Sequence, residues 1–216
     1  MGLLDRLAPT RRNEPDVDTG PARPAIDPIF ATKALKKFLA CLTSRPSPVL
    51  IDLGSVVGGN VTFFGEKLGC KIFVEDLFAD LDRFARNGKL ADLPGFLKKR
   101  FPQEDGSVDG ILCWDFIDYL DRPAAIELGN QLTRVLRPDG ALLGFFSTGR
   151  PPRESTYTKF VIMDDVNLKY RAYPASRNRQ AALLNRDIIK LFAGLRVSDS
   201  FLLQNNLREI LFRKPV

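Results

Sequence analysis

The segment Val49-Leu50-Ile51-Asp52-Leu53-Gly54-Ser55-Val56-Val57-Gly58-Gly59 constrains the fold more than any other part of the chain. Its first five residues are a short, almost wholly apolar run, the pattern of a strand buried on both faces inside a parallel sheet. The run closes on Gly54 and passes through a glycine-bearing loop into residues 62–68, which have the composition of a helix. A strand that delivers such a loop to a helix N-terminus presents unpaired backbone N–H groups at the sheet edge, an arrangement that suits an anionic or nucleotide ligand. About twenty residues on, the second short strand, 71–74, ends on the acidic pair Glu75-Asp76. A carboxylate there can accept both hydroxyls of a ribose.

The same alternation continues. Residues 28–42 carry Ile29, Phe30, Leu35, Phe38, Leu39 and Leu42 at helical spacing, which predicts an amphipathic helix. Residues 77–84 predict a helix, 108–114 a strand, 123–136 a helix stopped by Arg137-Pro138-Asp139-Gly140, and 141–147 another buried strand. Gly88, Pro94, Gly95 and Pro102 interrupt 85–107, where no single element is assigned. Strands and helices in this order argue for a mostly parallel sheet covered on both faces. Beyond Gly149, residues 157–164 and 168–173 read as a hairpin about Asp165-Val166-Asn167. A helix over 186–192, capped by Asn185, would turn Ile188, Ile189, Leu191 and Phe192 to the sheet. Strands over 196–203 and 209–213 then form a closing antiparallel hairpin, with Asn205-Asn206 at its turn because Asn tolerates positive φ. Residues 1–28, rich in Pro, Arg and Asp, read as a flexible arm. Residues 29–216 read as one domain, with 150–184 an insertion that covers a substrate.

Composition removes several chemistries. The 216 residues include no histidine, so imidazole bases, His-containing triads and His-ligated zinc are excluded from the sequence. Its three cysteines are far apart and lack a CxxC pair, which argues for a reducing compartment and against a thiolate metal site. No apolar run reaches the roughly 18 residues of a membrane-spanning helix, and the first residues lack a signal-peptide core. A cytoplasmic protein without a membrane partner is expected. Most of the net charge of +6 lies between residues 150 and 190, where nine basic residues face four acids. That excess is either a solvated surface or a basic rim for an anionic partner.

Three segments carry a specific resemblance. Residues 49–58 resemble motif I of class I methyltransferases, a strand ending D-L-G-x-G-x-G. Asp109-Gly110-Ile111-Leu112-Cys113-Trp114-Asp115-Phe116-Ile117-Asp118-Tyr119-Leu120 is similar to the family's fourth strand and following turn, commonly FDVVLCxDVLEHL. Leu132-Thr133-Arg134-Val135-Leu136-Arg137-Pro138-Asp139-Gly140-Ala141-Leu142-Leu143 is similar to the helix and fifth strand, usually RVLRPGGxLL. The matches fall in order and cover roughly residues 46–148. The resemblance implies an α/β, Rossmann-like, seven-stranded and mostly parallel sheet with helices on both faces. It also implies S-adenosyl-L-methionine as cofactor and methyl transfer to an acceptor, small or macromolecular, that the motifs do not name. By position, Gly54 and Gly58 match the loop glycines that let the methionine part of the cofactor pass close to the backbone, and Ser55 lies between them. Asp52 matches the first-strand acid, and either Glu75 or Asp76 the ribose acid. Trp114 and Asp115 fall where the fourth strand opens toward the cofactor's sulfur. Val56 replaces the family's middle glycine, and Asp118 and Tyr119 replace its common Glu and His. The usual adenine-side Asp is missing near 97–101, which reads LKKRF.

Each residue also has a plainer role open to it. Trp114 and Cys113 can be packing residues, Asp115 a helix N-cap, and Glu75 and Asp76 ordinary strand-end polar groups. At the level of function, a methyltransferase competes with a methyltransferase-like domain that binds or scaffolds without catalysis. An RNA-directed enzyme would predict salt-dependent RNA binding. An NAD-type Rossmann enzyme matches Asp52 and the RVLRPDG segment less well.

Overall fold

The computed structural model describes residues 27–150 and 153–216. The expected arm over 1–28 therefore lies almost wholly outside the described residues. The main sheet has six strands in the order β3-β2-β4-β5-β9-β8. Strands β2 (Val49–Asp52), β3 (Lys71–Val74), β4 (Val108–Trp114) and β5 (Leu136–Ser147) are mutually parallel. Strands β8 (Arg196–Leu202) and β9 (Leu207–Arg213) close the sheet as the expected antiparallel hairpin. Asn206, at φ 58°, makes its turn.

The α/β class and the mostly parallel sheet are as expected, but the sheet has six strands in place of seven. Residues 85–107 supply none. They form a 3₁₀ turn at Leu90–Asp92 and helix α4, Leu93–Arg100, with Pro94 in its first turn, where a missing N–H costs nothing. Past α4, Arg134 donates to the carbonyls of Phe101 and Gln103 at 2.9 Å each, occupying acceptors that a further strand would need.

Helices α3 (Leu77–Arg86), α4, α5 (Arg122–Val135) and α6 (Asn185–Leu191) bury one apolar cluster against the first face of the sheet. Asn185 is the first residue of α6 rather than its cap, and Leu184 precedes it with no side-chain cap. Ile188 and Phe192 are buried, whereas Ile189 is 40% exposed. The second face is covered by α1 (Leu35–Leu42) and by a separate antiparallel sheet, β1-β7-β6. Here the single helix expected over 28–42 is corrected. Ile29–Ala31 is strand β1, paired with β7 (Asn167–Pro174), and the helix begins only at Leu35. Buried Glu209 of β9 fixes that junction, accepting from the Thr32 hydroxyl and from the Lys33 amide at 2.8 Å. Strand β6 (Thr156–Ile162) pairs with β7 as the expected hairpin, and Phe160 of β6 stacks on Trp114 at the end of β4. No helix among the described residues is long and apolar enough to cross a membrane.

Candidate functional site

Parallel strands that end together collect their last residues at one edge, and this edge is where an open α/β sheet binds ligands. Asp52 ends β2 there, fully buried. Its Oδ1 accepts from the Gly54 amide at 2.9 Å and from Trp114 Nε1 at 2.6 Å. Burial pushes the carboxyl up to about 6, and the two hydrogen bonds pull against that rise. Trp114, the last residue of β4, adopts φ 49°, a left-handed conformation rare for a bulky side chain. Its indole lies directly over Gly54, where an added Cβ would come within 2.8 Å of the ring. The ring is near-parallel to Phe145 and Phe160, with centroids 6.0 and 5.0 Å away. Trp114 is thus both a packing residue and the hydrogen-bond partner of the first-strand acid.

The loop continues differently on its far side. The Ser55 hydroxyl donates to Asp76 Oδ1 at 3.0 Å, and the same oxygen accepts the Ala79 amide, capping α3. Ser55 and Asp76 line a cavity of about 440 Å³ with Phe78, Tyr157, Arg83 and Lys159. Glu75 points elsewhere, paired with Arg100 at 2.5 Å and accepting from Gln103 at 3.3 Å. Of the two acids, Asp76 is the one that faces the cavity, which alternation along the strand alone could not decide. Gly58 opens α2 (Gly58–Val61), continued by a π-helical turn at Thr62–Lys67, and nothing stands within 4 Å of a Cβ there. Val56, in the place of the middle glycine, is 61% exposed and does not line that cavity. Buried Asn60 ties this helix to the covering strand, donating to the Phe160 carbonyl and accepting from the Ile162 amide.

Asp115 does not cap the 3₁₀ turn that comes after it. It is fully buried and paired with Arg179, whose Nε also donates to the Tyr119 hydroxyl at 3.0 Å. Burial pushes the Asp115 carboxyl up and the guanidinium pulls it back. Nothing local in the sequence marks Arg179 as Asp115's partner; only its membership in the basic 150–190 stretch pointed that way.

Asp118 accepts the Ser147 amide at 2.7 Å, and burial, with the neighbouring Asp115 charge, pushes it up to about 7. Its unfolded value is near 4. Between those values the unfolded chain releases a proton that the folded chain keeps, so this group's contribution is fully present below pH 4 and is lost as pH rises to 7. Asn at 118 can still accept from Ser147. Asp118→Asn is therefore expected to remove a loss on the order of 2–4 kcal/mol between pH 4 and 7. Urea denaturation of both proteins at pH 5 and pH 8 checks this; identical pH dependence would refute the assignment.

The order and direction of the strands, the helices on both faces and the glycine loop at the sheet edge are those of class I S-adenosylmethionine-dependent methyltransferases, and the chain has that fold. Among solved structures it is similar to an S-adenosylmethionine-dependent methyltransferase from Clostridium acetobutylicum, at TM-score 0.52 and 14% identity over 84% of this chain and 91% of the other. The PH0226 protein from Pyrococcus horikoshii gives TM-score 0.50 and 15% identity, covering 84% and 88% of the two chains. The cyclase SpnF gives 0.50 and 13%, covering 84% and 80%. No protein-family model matches the sequence, and no curated protein sequence matches it.

The donor set present at this edge is chemically suited to S-adenosylmethionine. Asp52 and Asp76 offer acceptors for an ammonium group and ribose hydroxyls, Ser55 lines the cavity beside Asp76, and the backbone at Gly58 is open. One group stands in the way: the Trp114 indole occupies the approach over Gly54.

Proposed function

We propose that this protein is an S-adenosylmethionine-dependent methyltransferase. The observation that carries the reading is the convergence of Asp52, Gly54, Ser55 and Asp76 at the ends of β2 and β3, beside a cavity of about 440 Å³. In this reading Asp76 holds the ribose, while Glu75 braces α4 through Arg100. Bound S-adenosylmethionine would supply an electrophilic methyl group. The chain's own task is then to position an acceptor and exclude water, which needs neither histidine nor a metal. Asp115 serves by holding Arg179 at the end of β4 rather than by touching the cofactor. Lys159, Arg83 and the basic excess of 150–190 favour an anionic acceptor, with Lys159 on the cavity wall. The reading includes a cytoplasmic location, in keeping with three cysteines that form no disulfide.

A second reading, a methyltransferase-like domain without catalysis, draws on the indole over Gly54 and on Glu75's ion pair. SpnF, a cyclase on a similar fold, is a reminder that fold alone does not fix the reaction. Calorimetric titration with S-adenosylmethionine and S-adenosylhomocysteine separates the two. Saturable binding that weakens at least tenfold in Asp76→Ala is expected. No binding by the wild type, by Trp114→Phe or by Trp114→Ala would overturn the methyltransferase reading.

A further inference from the structure

The indole of Trp114 makes two contacts at the place where the proposed site would receive its ligand. Its Nε1–H donates to Asp52 Oδ1 at 2.6 Å, and its ring covers Gly54 so closely that even a methyl group there would collide with it. We propose that Trp114 is an internal gate, a side chain that competes with the methionine arm of the ligand for Asp52 and for the surface of Gly54, and must swing away for that arm to bind. The inference rests on the methyltransferase reading of the site.

Three further observations make Trp114 a movable element rather than a simple core residue. Its backbone sits in the left-handed region, a conformation that non-glycine residues rarely adopt and that clusters at ligand clamps and switch regions. One of its two ring partners, Phe160, belongs to β6, on the covering sheet, so the stack depends on where that sheet lies. The covering strand is fastened to the loop helix by Asn60 alone among the described side-chain hydrogen bonds between those two elements. Movement of β6 away from the loop would remove Phe160 from the indole and loosen the ring that guards Asp52. Closing would restore the hydrogen bond and exclude water from Asp52 again.

Gating of this kind has an energetic signature. Every contact the indole gives up is subtracted from ligand affinity, and a protein whose competent form is a minor population binds more weakly by that fraction. Removing the indole should therefore tighten binding, the reverse of what loss of an ordinary contact residue does.

The chain has a single tryptophan, so intrinsic fluorescence reports this ring and no other. In the described conformation Trp114 is 2% exposed, and its emission should be blue-shifted and poorly quenched by acrylamide. Titration of the wild type with S-adenosylhomocysteine is expected to shift the emission to the red and raise acrylamide quenching, in step with the calorimetric isotherm. Trp114→Phe, which retains an aromatic ring but loses the donor to Asp52, is expected to bind at least fivefold tighter, and Trp114→Ala at least tenfold tighter if it folds. Binding that leaves the emission and quenching of Trp114 unchanged, or that is weakened in Trp114→Phe, would overturn the gate while leaving the methyltransferase reading intact. Binding by the Trp114 variants but not by the wild type supports both. Absence of binding in all three proteins would overturn the reading and the gate with it.

Discussion

Arg179→Leu is expected to destabilise the protein by about 3–5 kcal/mol at neutral pH, the usual cost of leaving one member of a buried ion pair behind. The Asp115 side chain is wholly inaccessible and that of Arg179 only 16% exposed, so the pair is largely shielded from water. Asp115 Oδ1 already has no hydrogen-bond partner among the described residues, and losing Arg179 removes the side-chain donor to Oδ2. Tyr119 loses the Arg179 Nε–H donor to its hydroxyl and the cation over its ring at 5.5 Å. The variant should have a distinctive pH profile. Burial already pushes Asp115 up, and removing Arg179 removes the main influence that lowers it. Stability is then retained below pH 4, where both folded and unfolded carboxyls are protonated, and the deficit grows as pH rises. Adding Asp115→Asn to Arg179→Leu removes the buried charge and should recover a large part of the loss. Urea midpoints of the two variants at pH 5 and pH 8 decide the matter. A deficit that does not depend on pH, or that the second substitution fails to relieve, would mean that Arg179 contributes packing alone.

How much of this was legible in the sequence depends on how local each cause is. Strand β4 ends at Trp114, as the apolar run 108–114 predicts, because burial on both faces leaves that run few other options. Asn206 takes the positive φ that its residue type foretold. Asp52, Gly54 and Trp114, which the loop and the fourth-strand segment single out, stand in contact at the sheet edge. What the sequence hid is non-local. Ile29-Phe30-Ala31 shares helical spacing with Leu35, Phe38 and Leu42, but its partner is β7, far along the chain, and pairing there overrides the local pattern. The Asp115–Arg179 pair spans a separation of 64 residues with no periodicity to announce it. That Asp76 rather than Glu75 lines the cavity goes with the left-handed turn at Asp76, φ 41°, and with the reach of Arg100 to Glu75, neither of which strand alternation encodes. Trp114 was visible as a position at the mouth of the site; that its ring folds back onto Gly54 is a consequence of backbone geometry at one residue.

Gly129→Ala gives the sharpest test of the packing on the other face. In an ordinary helix interior Ala is preferred to Gly by about 1 kcal/mol, and Gly129 lies in the middle of α5. Here the preference should be reversed. A Cβ at 129 would lie 2.1 Å from the Leu191 carbonyl oxygen and 3.0 Å from its carbon, both backbone atoms at the end of α6. No rotamer change relieves a clash with a carbonyl, so α6 has to move. It is anchored by Ile188 and by Phe192, which packs on Phe146 and Phe212 in the core. Overpacking of this kind costs about 1–3 kcal/mol where side chains can yield and more where they cannot. Against a propensity gain of about 1 kcal/mol, a net loss of about 2–3 kcal/mol is expected. Gly95→Ala supplies the control. Gly95 is an exposed residue of α4, with nothing within 4 Å of a Cβ, and its substitution should stabilise by about 0.5–1 kcal/mol. Opposite signs for these two identical substitutions in thermal and urea denaturation are the expected result. A stabilised Gly129→Ala would mean that α6 does not dock on α5 as closely as the structure describes.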